Sequence, residues 1–298
     1  MLTTRFMAAM VSRPCCASKV VAVPADNAPL TVFVTGCASG IGRHLADALL
    51  DAGHHIWATD IAIERLRSHA TAQRWPSDRS VCAELDVSDA DAWQNCYTAA
   101  IARFGALDLH INVAGYLQPG WIDAISLTEI DRHIDVNIRG VAYGTALAAR
   151  HMRARGRGQI INVASLAGIA AIPGIAIYSA TKHAVRGLSL AAAAELREHG
   201  VKVTTIYPDA VQTPMLDLQV ADDAAALTFS GGRPLRTQEV VQAILNDAMR
   251  NKNLEVALPR GRAWLARIAG LFPASTRLLQ KRLQRRGAAA QARLRKRS

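Results

Sequence analysis

The chain reads as an α/β protein built on a doubly wound parallel sheet with helices on both faces. Three observations predict this. Short β-rich runs alternate with segments of helical spacing along most of the 298 residues. Half the residues are apolar and only 5% are aromatic, a composition suited to strands buried on both faces. Asp60, Asp86, Gly115, Ser165 and Pro208 each stand at the C-terminal end of a predicted strand, the edge at which open parallel sheets bind ligands.

The elements follow in order. Residues 30–34 form an apolar, β-rich run, and a glycine-rich turn follows over 36–42. Residues 43–52 have helical spacing, with Leu45, Leu49 and Leu50 on one side and Gly53 as the stop. Strands are predicted over 55–59, 80–85 and 107–113, with a helix over 90–104. A single long helix is expected over 126–153, then a strand over 159–164, a helix over 179–199 ended by Gly200, and a strand over 201–207. A helix over 239–250 and a strand over 254–258 complete the pattern. Three regions emerge: a leader over 1–29 expected to be disordered, a main α/β domain over 30–259, and a basic helical extension over 260–298.

Charge and cysteine usage narrow the function classes. Twelve of the 35 basic residues and none of the 24 acids lie in 260–298, so the net charge of +11 belongs to this tail and the body is near neutral. A nucleic-acid role gains little support from such a distribution. Five scattered cysteines, at 15, 16, 37, 82 and 96, make neither a disulfide framework nor a metal site, and a reducing cytoplasm is the expected setting. The leader resembles a weak targeting segment, but its apolar run is broken at Ser12, Arg13 and Pro14. No uninterrupted apolar stretch is long enough to span a bilayer.

The turn between the first strand and the first helix carries Gly36, Ser39, Gly40, Ile41 and Gly42. Glycines there let a pyrophosphate approach the backbone, and the helix N-terminus offers free N–H groups to it. The turn's spacing is G-x-x-x-G-x-G, which reads either as the phosphate-binding turn of a Rossmann-type fold or as an ordinary strand-to-helix turn; its place between a clear strand and a clear helix favours the first. Asp60, 18 positions after Gly42, is placed to accept hydrogen bonds from an adenosine ribose and to repel a 2′-phosphate. Ile61 follows it, with no Lys or Arg alongside, so NAD is expected over NADP. The plainer reading of Asp60 is a surface acid or helix cap. Asp86 and Val87 either touch the adenine edge or cap the next helix. Asn112, Ala114 and Gly115 end the fourth strand, where small residues allow close passage of a cofactor or merely a packed turn.

Tyr178 and Lys182 are spaced i, i+4 and share a helix face. An ammonium beside a phenol lowers its pKa, which fits Tyr178 to move the proton that accompanies a hydride transfer. Ser165 ends the preceding strand, where its hydroxyl can orient a substrate oxygen, and Asn137 lies in the long helix before it. The pair alone is common by chance; its combination with a strand-end serine and an upstream glycine loop is much rarer.

Taken together, these residues resemble the short-chain dehydrogenase/reductase family over residues 35–259. Thr35-Gly-x-x-x-Gly-Ile-Gly42 matches that family's cofactor motif, and Asn112-Val-Ala-Gly115 matches a second motif with one change. Asn137, Ser165, Tyr178 and Lys182 match its catalytic tetrad in order and spacing. The resemblance implies Tyr178 as general acid/base, Lys182 on the nicotinamide ribose, Ser165 on the substrate oxygen and Asn137 holding a water that connects Lys182 to solvent. It further implies that the segment holding Pro208, Val211 and Thr213 passes under the nicotinamide, and that the chain forms homodimers or homotetramers. Asp209 stands where many members have glycine, and Cys37 is unusual in the phosphate loop.

Residues 210–234 occupy the place of a substrate lid and carry Met215, Leu216, Leu218, Val220, Leu227 and Phe229, which line an apolar pocket or pack on the protein itself. The tail reads as one or two amphipathic basic helices split near Pro273. Docking on an anionic membrane and packing against the enzyme are both open at this level. The functional expectation is an NAD(H)-dependent oxidoreductase for a hydrophobic alcohol or ketone, without a metal. The rivals are a non-catalytic NAD-binding sensor or membrane scaffold of the same fold, and a related epimerase or dehydratase.

Overall fold

The computed structural model describes residues 28–296. The leader lies almost wholly outside them. Among the described residues the strands are β1 (Thr31–Thr35), β2 (His55–Asp60), β3 (Ser80–Glu84), β4 (Leu109–Asn112), β5 (Gly158–Val163), β6 (Val201–Pro208) and β7 (Glu255–Leu258). They form one all-parallel sheet in the order β3-β2-β1-β4-β5-β6-β7. From β1 the chain winds one way through β2 and β3, then crosses back and winds the other way from β4. The reversal lies between β1 and β4, which are paired from Val32 opposite Leu109 to Val34 opposite Ile111. A crevice opens at the C-terminal ends of strands flanking such a reversal.

Strand periodicity builds the two faces. Val32 and Val34 enter one apolar layer with Leu45 and Leu49, which belong to helix α1 (Gly40–Asp51). Phe33 enters the opposite layer with Trp93, Met152 and Leu196. Those three residues lie on α3 (Ala90–Phe104), α5 (Gly140–Arg155) and α6 (Ala176–Leu196). Alternation with period two therefore puts neighbouring residues of one strand into separate cores. Asp89 caps α3 by accepting from the N–H groups of Asp91 and Ala92, and Ser126 caps α4 (Leu127–Ile134) by accepting from the Glu129 N–H.

Several elements differ from the sequence expectation. The long helix expected over 126–153 is broken by a π-helical turn, Asp135–Arg139, between α4 and α5. The helix expected over 239–250 is likewise α-helical only as α8 (Thr237–Ala243), and Ile244–Arg250 is a π turn. Periodicity places apolar residues but does not report a one-residue widening of a turn. Helix α2 (Ile63–Ala72) has no sequence counterpart because Leu66 is its one buried side chain, too little to register as a stripe. Within the lid, α7 (Pro214–Ala221) precedes a 3-10 segment, Asp223–Ser230. The tail is two helices, α9 (Arg260–Leu271) and α10 (Pro273–Arg295), divided at the proline the sequence marked. No helix among the described residues is long and apolar enough to cross a membrane.

Helix α5 lies close to the sheet. A Cβ on Gly144 would meet Asn112 Oδ1 at 2.6 Å and the Trp93 ring at 2.7 Å. Asn112 belongs there to a buried polar group: it donates to Asn162 Oδ1 at 2.9 Å, and Asn162 donates to Ser189 Oγ at 2.9 Å. Gly144→Val forces α5 outward and is expected to cost about 3 kcal/mol of stability. Thermal unfolding followed by circular dichroism reads this, and an unchanged Tm would show that α5 does not rest on the sheet at this glycine.

Candidate active site

The crevice begins where β1 and β4 end. Thr35 Oγ1 accepts hydrogen bonds from the Val113 and Ala114 N–H groups, both at 3.0 Å. This lashes the glycine loop to the fourth strand end. Gly36 follows with a φ of +74°, and a Cβ there would lie 2.9 Å from the Ala114 backbone. A side chain is therefore excluded twice, by conformation and by space. A Cβ on Gly42 would lie 2.1 Å from Gly36 O, so the first turn of α1 sits directly on the loop.

The loop forms one wall of a cleft of about 660 Å³, together with Asp60, Ile61, Asp86, Val87, Ala114 and Gly115. The Asp60 carboxylate accepts from the Ala38 N–H at 2.8 Å and from the Ala62 N–H at 2.9 Å. It thus braces the glycine loop from the end of β2. Asp86 does not cap α3, since Asp89 does. Asp86 instead accepts from the Ser88 N–H at 2.9 Å and the Ser88 hydroxyl at 2.6 Å. Two expectations need correction. Asn112 is committed to the buried polar group under α5 and lines neither the cleft nor the adjoining pocket. Arg65, on the unforeseen helix α2, lines the same cleft as Asp60, so the cleft wall does include a cation.

A smaller pocket of about 110 Å³ adjoins the cleft and shares Ile41, Val113, Gly115, Thr213 and Met215 with it. Ser165, Tyr178 and Lys182 line this pocket, as do Pro208 and Val211. Thr213 comes from the start of the lid, and a Cβ on Gly40 would meet its methyl at 3.0 Å. Ser165 is held in extended backbone at the end of β5, where its Oγ accepts from the Ala167 N–H at 3.1 Å. Tyr178 lies in the first turns of α6, packed against Leu117, Ala167 and Ile175. Asn137 sits in the π turn, wholly buried, and clamps the backbone of Tyr116 with two bonds of 2.8 Å. Its amide also donates to Thr181 Oγ1 at 3.1 Å. A Cβ on Gly115 would meet Asn137 Oδ1 at 3.4 Å and Lys182 Nζ at 3.6 Å, so both groups stand just behind the cleft wall.

Burial pushes the Tyr178 phenol up to about 12, and a hydrogen bond with Ser165 draws it part of the way back. Lys182 lies 5.6 Å from the phenol ring and donates to Val163 O at 3.0 Å. Burial lowers its ammonium to about 8. Desolvation thus favours the neutral form of both groups, raising the phenol and lowering the ammonium. Cys37 is fully buried and its thiol is pushed well up by burial, which makes it inert as a nucleophile.

Sequence reading missed the partner of Asp209. Arg262, from α9, meets its carboxylate at 2.6 Å. Asp209 itself lines the pocket. The only available signal was Asp209 replacing an expected glycine, and nothing in the chain order joins it to a residue 53 positions later.

Residues 30–224 match the family model described as short chain dehydrogenase. A 3-alpha-(or 20-beta)-hydroxysteroid dehydrogenase of Mycobacterium bovis is 33% identical over 215 residues, which cover 72% of this chain and 82% of that protein. A levodione reductase of Leifsonia aquatica is 32% identical over 189 residues, covering 62% and 71%. Among solved structures, a levodione reductase aligns with a TM-score of 0.71 at 27% identity, covering 78% of this chain and 97% of that one. A Burkholderia phymatum protein in complex with NAD has the same fold, with a TM-score of 0.74 at 24% identity over 80% of this chain and 92% of that one.

The buried lysine generates a prediction. Its folded pKa of about 8 lies below the ordinary 10.5, so between those values the unfolded chain holds the extra proton and stability rises with pH. Below pH 8 the charge is a standing cost of about 3 kcal/mol. Replacing the lysine leaves Val163 O without its hydrogen bond, which costs about 1 kcal/mol. Lys182→Met is expected to stabilise the ligand-free protein at pH 7 by about 2 kcal/mol, with the gain vanishing toward pH 10.5. Denaturant unfolding at both pH values tests it; a variant less stable than wild type at pH 7 would refute the cost.

Proposed function

The chain belongs to the short-chain dehydrogenase family of oxidoreductases, which act on alcohols and ketones, and from that premise we propose that it interconverts an apolar secondary alcohol and its ketone with NAD(H). The observation that carries this reading is one pocket wall. Ser165, Tyr178 and Lys182 line a small pocket that opens into the glycine-walled cleft.

The residues fit a dinucleotide. Gly36 and Gly42 leave a cradle that a Cβ would fill, and the N-terminus of α1 faces the same cleft. Gly40, Ile41 and Ser39 would hold the pyrophosphate, Asp60 and Ile61 the adenosine ribose, Asp86 and Val87 the adenine, and Lys182 the nicotinamide ribose. The bound nicotinamide supplies the hydride acceptor or donor. The chain supplies the proton chemistry. Ser165 holds the substrate oxygen. Tyr178 Oη takes the hydroxyl proton during oxidation and returns it during reduction. The neutral phenol of the resting site is already the acid that reduction requires, whereas oxidation needs the phenolate. Lys182 and the positive ring of oxidised nicotinamide together favour that phenolate. Asn137 holds the wall behind them and connects Lys182 toward solvent.

The substrate reading rests on the rest of the wall. Leu117, Ile172, Ile175, Met215 and Leu216 make it apolar. The similar proteins named above carry hydroxysteroid and levodione in their names, both ring compounds with a secondary alcohol or ketone. NAD is favoured over NADP by the Asp60 carboxylate facing the cleft, although Arg65 lies nearby. The outer faces of α5 and α6 expose Ala146, Ala180, Gly187, Ala191 and Ala194, small residues across which two copies pack as a dimer or within a tetramer. Light scattering measures that assembly. Cys37, Cys82 and Cys96 are free thiols, in keeping with a reducing cytoplasm.

Two outcomes test the reading. With a panel of cyclic secondary alcohols and NAD+, Tyr178→Phe is expected to lose about a thousandfold or more in kcat while NADH fluorescence still reports binding. Turnover unaffected by the change would end the assignment of Tyr178. Asp60→Ala is expected to lower kcat/KM for NAD+ by about a hundredfold and to narrow its advantage over NADP+. A wild-type enzyme that prefers NADP+ would transfer the deciding role to Arg65.

A further inference from the structure

Helix α9 is built the wrong way round for an ordinary surface helix. The residues it turns toward the body are small. Ala263 is buried and Ala266 packs on the cluster of Leu166, Ile169, Val185 and Tyr207. A Cβ on Gly270 would lie 2.4 Å from Ile169 O. Its large apolar residues face outward: Trp264 is 64%, Leu265 63% and Leu271 74% exposed. At about 100° per residue, Trp264, Leu265, Ile268 and Leu271 fall within a stripe about 120° wide. A surface helix of a soluble domain normally shows the opposite arrangement, so this stripe calls for a partner.

The surroundings identify the partner's charge. No acid occurs between 260 and 298, where twelve Lys or Arg are found. Arg260 and Arg267 adjoin the stripe on α9, and Lys281, Arg282, Arg285 and Arg286 are exposed on α10. Glu255, at the foot of α9, is engaged by Arg186 and Arg267. Leu279 and Leu283 are exposed among the α10 cations. Bulky apolar side chains with a tryptophan, framed by basic residues and by no acid of their own segment, suit a helix lying in the interface of an anionic bilayer.

The same two helices are fastened to the pocket. Arg262 of α9 pairs with Asp209 at 2.6 Å in the pocket wall. Gln291 of α10 donates to Gln219 O at 2.8 Å and Asp222 O at 2.6 Å in the lid. Arg295 donates to Val220 O at 2.6 Å and pairs with Asp223 at 2.7 Å. A Cβ on Gly287 would lie 1.9 Å from Ala226 O.

We propose that α9, with the basic face of α10, docks this protein on an anionic phospholipid surface, with the pocket mouth beside the bilayer. Docking stands on the stripe and its charge; delivery of an apolar alcohol from the bilayer into the pocket rests in addition on the oxidoreductase reading.

The test is co-sedimentation of the full chain with vesicles of mixed phosphatidylcholine and phosphatidylglycerol. Binding is expected there, with little to pure phosphatidylcholine, and it falls as salt rises. The pair Leu265→Ser and Leu271→Ser is expected to lower the partition coefficient by about a hundredfold, with Tm and turnover of a water-soluble alcohol unchanged. Tyr178→Phe binds vesicles as wild type does, so loss of catalysis and loss of docking are read separately. Absence of binding, or equal binding by the paired variant, overturns the proposal. So does a change of assembly state in the paired variant, read by light scattering, without vesicle binding by wild type; the stripe is then a contact between copies of this chain.

Discussion

The rest of the site depends on the close approach of two strand ends. Thr35 Oγ1 accepts from two successive N–H groups of the fourth strand end, and Gly36 passes the Ala114 backbone with no room for a single carbon between them. That contact sets the width of the crevice at the reversal between β1 and β4. It also aims the first turn of α1, because Gly42 packs on Gly36 O. Asp60 braces the loop from the far side through the Ala38 N–H. The carboxylate expected to accept from a ribose or to cap a helix therefore has a structural task in the loop.

Burial governs the chemistry of the pocket. Tyr178 and Lys182 are each perturbed toward their neutral forms, the phenol upward to about 12 and the ammonium downward to about 8. Such a pair is costly to fold around. A positive neighbour would favour the phenolate, which desolvation alone does not. Water exclusion makes that response large. The π turn at Asp135–Arg139 belongs to the same design: it turns Asn137 inward, where its amide closes the wall behind Gly115.

The tail converts a frequent family fold into a particular protein. Both of its helices grip the segment that follows β6, one through Asp209 and the other along residues 219–226. The ion pair between Arg262 and Asp209 is partly shielded, so removing either partner would leave a charge with poor solvation. A pocket wall that answers to the position of α9 is the consequence.

Much of the site was legible in the chain itself. The alternation of strands and helices, the glycine loop, the acid after the second strand and the i, i+4 pair Tyr178 and Lys182 follow from local pattern and spacing, which the backbone obeys wherever the chain goes; Asn137 entered only through the family resemblance. Helix α2 escaped because one buried leucine makes no stripe, and the π turns escaped because periodicity tolerates one extra residue per turn. The role of Asn112 was misplaced because burial under α5 is invisible along the strand. Asp209 meeting Arg262, Arg65 in the wall of the cleft, and the outward stripe of α9 were decided by tertiary structure alone. Each depends on which face of an element is covered by another, and on how much water remains around a charge. Sequence spacing records direction within an element; only packing between elements determines what lies on the other side.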